Sequence, residues 1–197
     1  MSDRDPPSPR RISIQGISGS GKTTLGRALE WRTGIPHLET DALVHGPGWN
    51  ETPDPELRAL VEPLVLRERW VIDSDYRRKL GTLVLRHADT VVWLDLPLRV
   101  CLRRLWVRTR RRMRGQERLW NGNTETWWTA FGGRNSLFVF AIRAHLSSRR
   151  SMPDLLARPE LVHLRLVRLR SGDEVDRWLA RVTAETDGAG DRPPADP

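Results

Sequence analysis

Eight consecutive residues near the amino terminus have the types and spacing of a phosphate-binding loop. Residues 16–23 read GISGSGKT, which is Gly, any four residues, Gly, Lys and then Ser or Thr. Gly16, Gly19 and Gly21 let the backbone wrap around a phosphate because they carry no side chain that would block its amide groups. An apolar strand precedes this loop and a helical pattern follows it, so the sequence predicts a polyphosphate bound at a helix N-terminus.

The loop also predicts which nucleotide and metal are bound. Lys22 supplies a positive charge to the β- and γ-phosphates, and the Thr23 hydroxyl is expected to bind Mg²⁺. Ser18, Ser20 and Thr24 are the other side chains that we expect to contact the nucleotide. Because no Asn-Lys-x-Asp sequence is present to favour GTP, we predict ATP with Mg²⁺.

Three aspartates, Asp41, Asp73 and Asp95, follow or end apolar strand patterns. Ligands of an open parallel sheet collect at the carboxyl ends of its strands. Asp73 in WVID and Asp95 in VVWLD both fit a strand that ends at a Mg²⁺-binding carboxylate. If the third strand lies beside the first, Asp73 faces the metal, and Asp95 lies one strand further out in a structural role. Asp41 is either a helix N-cap or a catalytic group that hydrogen-bonds an acceptor or takes its proton.

The positive charge is concentrated in one segment. The formal net charge is +8, and nine arginines fall within residues 99–118. This charge indicates a polyanionic partner, either a nucleotide or a nucleic acid, although a coding bias towards Arg would raise the count without a functional demand. Within the segment, Arg104 and Arg108 are our candidates for catalysis, and Arg110 and Arg111 for nucleotide binding.

Apolar strand and helix patterns alternate along the chain. This alternation predicts an α/β domain whose five-stranded parallel sheet is covered by helices on both faces. The predicted strands are residues 11–17, 36–40, 70–73, 90–96 and 161–169, and the predicted helices are residues 22–33, 55–69, 77–87, 98–112, 135–150 and 173–184. We place one domain at 11–186, between tails at 1–10 and 187–197 that are too polar to bury a core and are expected to be disordered.

Residues at about 110–134 are predicted to form an Arg-rich lid, because the stretch contains four glycines and shows no regular period. In it, Trp127 and Trp128 either stack on a base or pack against neighbouring side chains. Trp49 follows an HGPG turn and is a candidate for the wall of an acceptor pocket.

Other features narrow the class of protein. No apolar run reaches the roughly 18 to 20 residues that cross a bilayer, and the first residues lack the apolar stretch of a signal peptide. The single cysteine, Cys101, excludes an internal disulfide and is expected to be buried on a helix. The five histidines lack metal-ligand spacing, so no zinc site is indicated, and His37 is expected to be structural. We therefore expect a cytoplasmic protein.

Several segments together resemble a known family. They are GISGSGKTTL, HLETDALVHGPGWNETP, RWVIDSDY, ADTVVWLDLPLRVCLRRLWVRTRR and VRLRSGDEVDRWL, which lie within residues 11–182. Their combination resembles the adenylate-kinase-like P-loop proteins often labelled DNA topology modulation proteins. The resemblance implies a nucleoside-monophosphate-kinase fold with an Arg-bearing lid. It also implies phosphoryl transfer from ATP to a small-molecule acceptor.

The resemblance carries roles to five positions. Asp41 matches the acceptor-side aspartate, Asp73 the acidic residue that ends the third strand, and Tyr76 the aromatic residue that follows it. Arg104 and Arg108 fall in the helix next to the lid, whose arginines contact phosphates in similar proteins.

The motif after the third strand departs from the family pattern. Similar proteins tend to have Asp-Gly-Asn-Tyr where this chain has Asp73, Ser74, Asp75 and Tyr76. A serine restricts the backbone, and a second carboxylate adds charge beside the expected acceptor, so the acceptor itself is left open.

Three functions remain as alternatives at this point. The first is a kinase that phosphorylates a small-molecule acceptor, which includes nucleoside monophosphates and related metabolites. The second is a nucleotide-regulated protein that binds nucleic acid through the arginines of residues 99–118. The third is an NTPase without an acceptor. The residues leave the oligomeric state open.

Overall fold

Five short strands pair in parallel to form one sheet in the computed structural model, which describes residues 8–74, 76–115, 120–123 and 136–190. The strands are β1 (Arg11–Gly16), β2 (His37–Glu39), β3 (Trp70–Asp73), β4 (Thr90–Leu94) and β5 (Arg165–Leu169). Their order across the sheet is β2-β3-β1-β4-β5, and every neighbouring pair is parallel. The first strand therefore lies at the centre, with β3 on one side and β4 on the other.

Helices connect the strands. They are α1 (Lys22–Thr33), α2 (Thr40–Val44), α3 (Asp54–Val65), α4 (Arg77–Leu80), α5 (Leu83–His87), α6 (Leu98–Gly115), α7 (Leu137–Leu156) and α8 (Gly172–Gly190). Short 3₁₀ turns occur at Pro47–Trp49, Trp120–Gly122 and Pro159–Leu161. Within the described ranges, no helix combines the length and apolar character needed to cross a membrane.

The sheet is buried on both faces. Val71 of β3 packs with α1 and α8 on one face, whereas Trp70 and Ile72 pack with α3 on the other, as the two-residue period of a strand requires. All residues of β3 and β4 are buried, which explains why these strands are continuous apolar runs in the sequence. The prediction of a parallel sheet with helices on both faces is confirmed.

Several helices and one strand begin or end at residues other than the predicted ones. The helix predicted at 77–87 is divided at Gly81, whose φ of 62° is left-handed and ends the first turn. The helix predicted at 55–69 ends at Val65, and that predicted at 135–150 continues to Leu156. The predicted strand at 161–169 is shorter, because a 3₁₀ turn occupies Pro159–Leu161.

The predicted tails and lid lie partly inside the described structure. Arg10 donates its backbone N–H to Asp89 Oδ2 at 2.9 Å and its guanidinium to Glu68 at 2.8 Å, so residue 10 belongs to the domain. The last helix reaches Gly190 and extends four residues into the tail predicted at 187–197. Of the lid predicted at about 110–134, residues 110–115 belong to α6 and 120–123 are described, whereas Trp127 and Trp128 lie outside the described residues.

Asp95 follows β4 and has a structural environment. Its carboxylate is buried and accepts hydrogen bonds from Arg149 Nε at 2.7 Å and from Arg168 Nε at 2.9 Å. Burial raises the pKa of Asp95, but the two arginines outweigh it and lower this pKa below 3.8. The prediction that Asp95 lies one strand further out was wrong, because β4 pairs directly with β1. The structural role of Asp95 therefore comes from its ion pairs with these two arginines and not from its distance to β1.

We predict that Asp95→Asn lowers the free energy of unfolding by about 2 kcal/mol at pH 7, because it leaves two guanidinium groups without their carboxylate. Urea denaturation measures the effect. Glu68→Gln is the matched control, since its pair with Arg10 is exposed and should contribute less than about 0.5 kcal/mol. The difference between the native protein and Asp95→Asn should shrink as the pH falls below 3.8, because protonation removes the same charge. Equal losses in both variants would contradict this assignment.

Candidate active site

The loop between β1 and α1 has the backbone geometry of a phosphate cradle. Gly19 and Gly21 have left-handed φ values of 80° and 99°, which glycine adopts without strain. A Cβ at Gly19 would also lie 2.3 Å from the Cys101 carbonyl oxygen, so the loop packs directly on the first turn of α6. No described side chain caps the N-terminus of α1, so its first N–H groups are available to an anion.

Lys22 lies inside a cluster of charges. It is partly buried, and its Nζ donates to the Ile17 carbonyl oxygen at 3.3 Å. Burial lowers the pKa of Lys22, Asp41 and Asp73 act in the opposite direction, and the nearby Arg108 lowers it further. A bound polyphosphate would supply negative charge to this ammonium group and so favour its charged form.

Thr23, the last residue of the loop, contacts Asp73 at the end of β3. The Thr23 hydroxyl donates to Asp73 Oδ2 at 2.6 Å, and the Thr40 backbone N–H lies 3.3 Å from Asp73 Oδ1. Asp73 is only 2% exposed, and burial raises its pKa. Contacts with His37 and Thr23 outweigh this effect and lower the pKa, so the carboxylate is ionised. A hydroxyl and an ionised carboxylate are oxygen ligands that suit Mg²⁺.

Two residues of β2 complete this side of the site, and the sequence did not identify them as functional. Glu39 is paired in register with Asp73, and its Oε1 lies 3.4 Å from the Thr23 hydroxyl. The His37 Nε2 lies 3.4 Å from Asp73 Oδ2. The ring fits there because Gly26 has no side chain, since a Cβ would lie 2.3 Å from that nitrogen. The strand register, which local sequence does not reveal, is what brings Glu39 to the site.

A second cluster of polar side chains lies around Asp41, which is in the first turn of α2. The Tyr76 hydroxyl donates to Asp41 Oδ1 and lies 3.2 Å from His45 Nε2. Burial and the neighbouring Asp41 carboxylate raise the pKa of Tyr76, so the phenol stays protonated as a donor. The N-cap of α2 is Glu39, so the N-cap role considered for Asp41 is wrong. The bond from Tyr76 orients the Asp41 carboxylate through Oδ1.

The four arginines of α6 that were predicted to contact phosphate lie in two different environments. Arg104 Nη1 lies 3.4 Å from the Ser20 carbonyl oxygen, and the charge of Arg108 acts on Lys22. Arg110 and Arg111 are exposed further along the helix, so their contact with a nucleotide stays a prediction.

The other polar residues of the loop differ in their exposure. The Ser20 hydroxyl is buried, and a Cβ on Gly16 would lie 2.6 Å from it, so this serine packs where Gly16 leaves space. Ser18 is partly buried and Thr24 is exposed. Their predicted contacts with the nucleotide remain predictions.

The turn after β3 is strained. Ser74 and Tyr76 have left-handed φ values of 70° and 41°, which cost a residue with a side chain about 1 to 2 kcal/mol. Ser74 is held there by a bond from its N–H to the Ile14 carbonyl at 3.0 Å and by the Thr40 hydroxyl on its own carbonyl at 2.9 Å. Ser74 is the residue at which the sequence departs from the Asp-Gly-Asn-Tyr pattern of the family that it resembles, and Asp75 lies outside the described residues.

Sheet order, loop and helical layers define the P-loop kinase fold, which known structures share. A shikimate kinase from Acinetobacter baumannii, solved in complex with shikimate, matches with a TM-score of 0.55 at 16% identity over 93% of this chain and 96% of its own. A gluconokinase from Sinorhizobium meliloti matches with a TM-score of 0.52 at 23% identity, over 93% of this chain and 95% of its own. No protein-family model matches the sequence.

Two curated proteins with similar sequences are shikimate kinases. The chain is 34% identical over 110 residues to the shikimate kinase of Nitratidesulfovibrio vulgaris, which covers 48% of this chain and 62% of that protein. It is 33% identical over 113 residues to the shikimate kinase of Synechococcus elongatus, which covers 48% and 56%. The chain thus spans less than two thirds of the length of these curated relatives.

We predict that Ser74→Gly raises the free energy of unfolding by about 0.5 to 1 kcal/mol, because relief of the left-handed strain exceeds the extra chain entropy of glycine. Ser74→Ala keeps the strain and serves as the control, with an expected change near zero. Urea denaturation distinguishes them. The same stability for both variants would show that Ser74 is not strained.

Proposed function

We propose that this protein transfers the γ-phosphoryl group of ATP to a hydroxyl group of a small acceptor molecule. The observation that carries the proposal is the 2.6 Å contact between Thr23 and the buried Asp73 directly behind the glycine loop, with Asp41 close enough to act on Lys22. A phosphate-binding loop alone would fit a hydrolase equally well. A second carboxylate group, held by Tyr76 beside the loop, provides a place for an acceptor.

The donor half of the reaction uses the loop. The N–H groups between Gly16 and Thr23 surround the phosphates, and Lys22 adds a charge to the β- and γ-groups. The Thr23 hydroxyl and Asp73 would hold Mg²⁺, which neutralises the charge of the phosphate oxygens when it is bound. Glu39, 3.4 Å from the same hydroxyl, is placed to accept hydrogen bonds from water in that region.

The acceptor half centres on Asp41. Tyr76 orients this carboxylate through Oδ1, which leaves Oδ2 for the acceptor hydroxyl. The acceptor oxygen forms a bond to the γ-phosphorus while the bond from this phosphorus to the β–γ bridging oxygen breaks, which releases ADP. The proton of the hydroxyl passes to Asp41. Arg104 and Arg108 stabilise the charge on the transferred group, so catalysis is mostly positioning and electrostatics.

The names of the relatives suggest an acceptor class. Shikimate and gluconate are small carboxylic acids with several hydroxyl groups, and we propose that the acceptor here is a metabolite of this kind or a nucleoside monophosphate. The DNA topology modulation group is the narrower family that the sequence resembles, and it remains a prediction. ATP as donor and the unpaired Cys101 fit the cytoplasm, where we place the protein.

We predict that Lys22→Ala abolishes the rise in melting temperature caused by a non-hydrolysable ATP analogue with Mg²⁺. At a ligand concentration of 100 times Kd, the native protein should gain about 2.7 kcal/mol. Thermal denaturation with and without the analogue measures this gain. Lys79→Ala is the control, because this second lysine binds Glu51 and Asp54 outside the loop. An unchanged shift in Lys22→Ala would remove the basis for nucleotide binding at this loop.

We predict that one acceptor in a panel of shikimate, gluconate, nucleosides and nucleoside monophosphates accelerates ADP formation. With that acceptor, Asp41→Asn should lower kcat about 10² to 10⁴-fold while the Kd of the ATP analogue stays the same. Coupled detection of ADP and calorimetry measure the two quantities. A rate of ADP formation that is the same with and without every acceptor would instead support an NTPase. Tight, salt-sensitive DNA binding in its place would support the nucleic-acid hypothesis.

A further inference from the structure

A short segment after α6 is bonded to the loop that follows α2. Residues 120–123 lie against residues 45–50, and side-chain amides make the contact. The Asn121 Nδ2 donates to the His45 carbonyl oxygen at 2.6 Å. Asn123 makes two bonds, since its Oδ1 accepts from the Trp49 backbone N–H at 3.1 Å and its Nδ2 donates to the Gly46 carbonyl oxygen at 2.9 Å.

The Asn123 side-chain amide bonds to the backbone of this loop through both its oxygen and its nitrogen. Its side chain presents one acceptor and one donor to an N–H and a carbonyl of the same turn, and both bonds span more than 70 residues of sequence. The residue is only 5% exposed. Removing a buried amide that satisfies two backbone groups leaves both groups without partners, which costs more than the loss of an exposed hydrogen bond.

The loop needs such a restraint because its backbone is strained. Trp49 has a left-handed φ of 63°, directly after Gly48 with a φ of 69°. A bulky residue holds this conformation only where its surroundings enforce it. The bond from the Trp49 N–H to Asn123 Oδ1 is one such restraint on the backbone of this loop.

Contacts continue from this loop to the acceptor-side carboxylate. The Trp49 and His45 rings meet edge to face with centroids 5.4 Å apart. His45 Nε2 lies 3.2 Å from the Tyr76 hydroxyl, which donates to Asp41. Asn123 is therefore joined to Asp41 through three aromatic side chains. None of these contacts involves the glycine loop that binds the phosphates.

We infer that Asn123 is a positioning residue for the acceptor, which acts by holding the loop of Trp49 and His45 in the geometry that orients Tyr76 and Asp41. The inference rests on the proposed function for the identity of the reaction. The contacts themselves assign the dependence to acceptor binding and not to nucleotide binding. Residues 120–123 then contribute to acceptor selection.

The test compares Asn123→Ala with the matched control Asn50→Ala, whose exposed side-chain amide donates to the Pro47 carbonyl oxygen within the same loop. Asn123→Ala should raise the KM of the acceptor found in the panel about tenfold or more, as the loss of two buried hydrogen bonds implies. The Kd of the non-hydrolysable ATP analogue should stay within about twofold of the native value, because the phosphate loop is untouched. Asn123→Asp, which keeps the acceptor for Trp49 but loses the donor to Gly46, should give an intermediate KM.

Hydrogen exchange supplies a readout that needs no acceptor. The amide of Trp49 should exchange faster in Asn123→Ala and be unchanged in Asn50→Ala. An unchanged Trp49 amide, an unchanged acceptor KM or an equal weakening of ATP-analogue binding would each overturn the inference. If no acceptor is found, the proposed function fails, while faster exchange of Trp49 would still support the restraint by Asn123.

Discussion

The parallel pairing of β3 with β1 is the constraint on which the site depends. It sets Asp73 beside Ile14, two residues from the end of β1, and so brings a carboxylate against Thr23. A buried carboxylate is costly unless it is hydrogen-bonded. Here the Thr23 hydroxyl, the Thr40 N–H and the nearby His37 ring surround it. Shifting the register by one residue would turn this side chain to the other face of the sheet and remove the oxygen ligands expected for a metal.

Charged side chains of both signs act on Lys22 in the phosphate loop. The carboxylates of Asp41 and Asp73 raise the pKa of Lys22, whereas Arg108 of α6 lowers it, and Arg104 of the same helix contacts the Ser20 carbonyl oxygen. Partial burial weakens solvent screening, so these charges act on one another more strongly than they would at the surface. The same surroundings favour a ligand with several negative charges, as the proposed polyphosphate has.

Several strained backbone positions lie in the loops around Tyr76. Ser74, Tyr76 and Trp49 all have left-handed φ values, and the loops that contain them meet at the Tyr76 hydroxyl. Bonds from distant segments hold these turns, including the one from Asn123 to Trp49. Strained turns that are held by distant segments keep the polar groups around Tyr76 in one arrangement, so these groups would need little reorganisation to bind a ligand.

The sequence alone determined the phosphate loop, its helix and the five strands, because glycine spacing and apolar period are local features of the chain. Apolar period alone did not separate Asp73 from Asp95, and the prediction that Asp73 faces the metal came from an assumed strand order. The tertiary structure decided between them by placing Arg149 and Arg168 on Asp95. It also brought Glu39 to Thr23 through strand register. Apolar patterns specify which face of an element is buried, but the partner of a buried polar group comes from distant sequence and is set only when the elements pack.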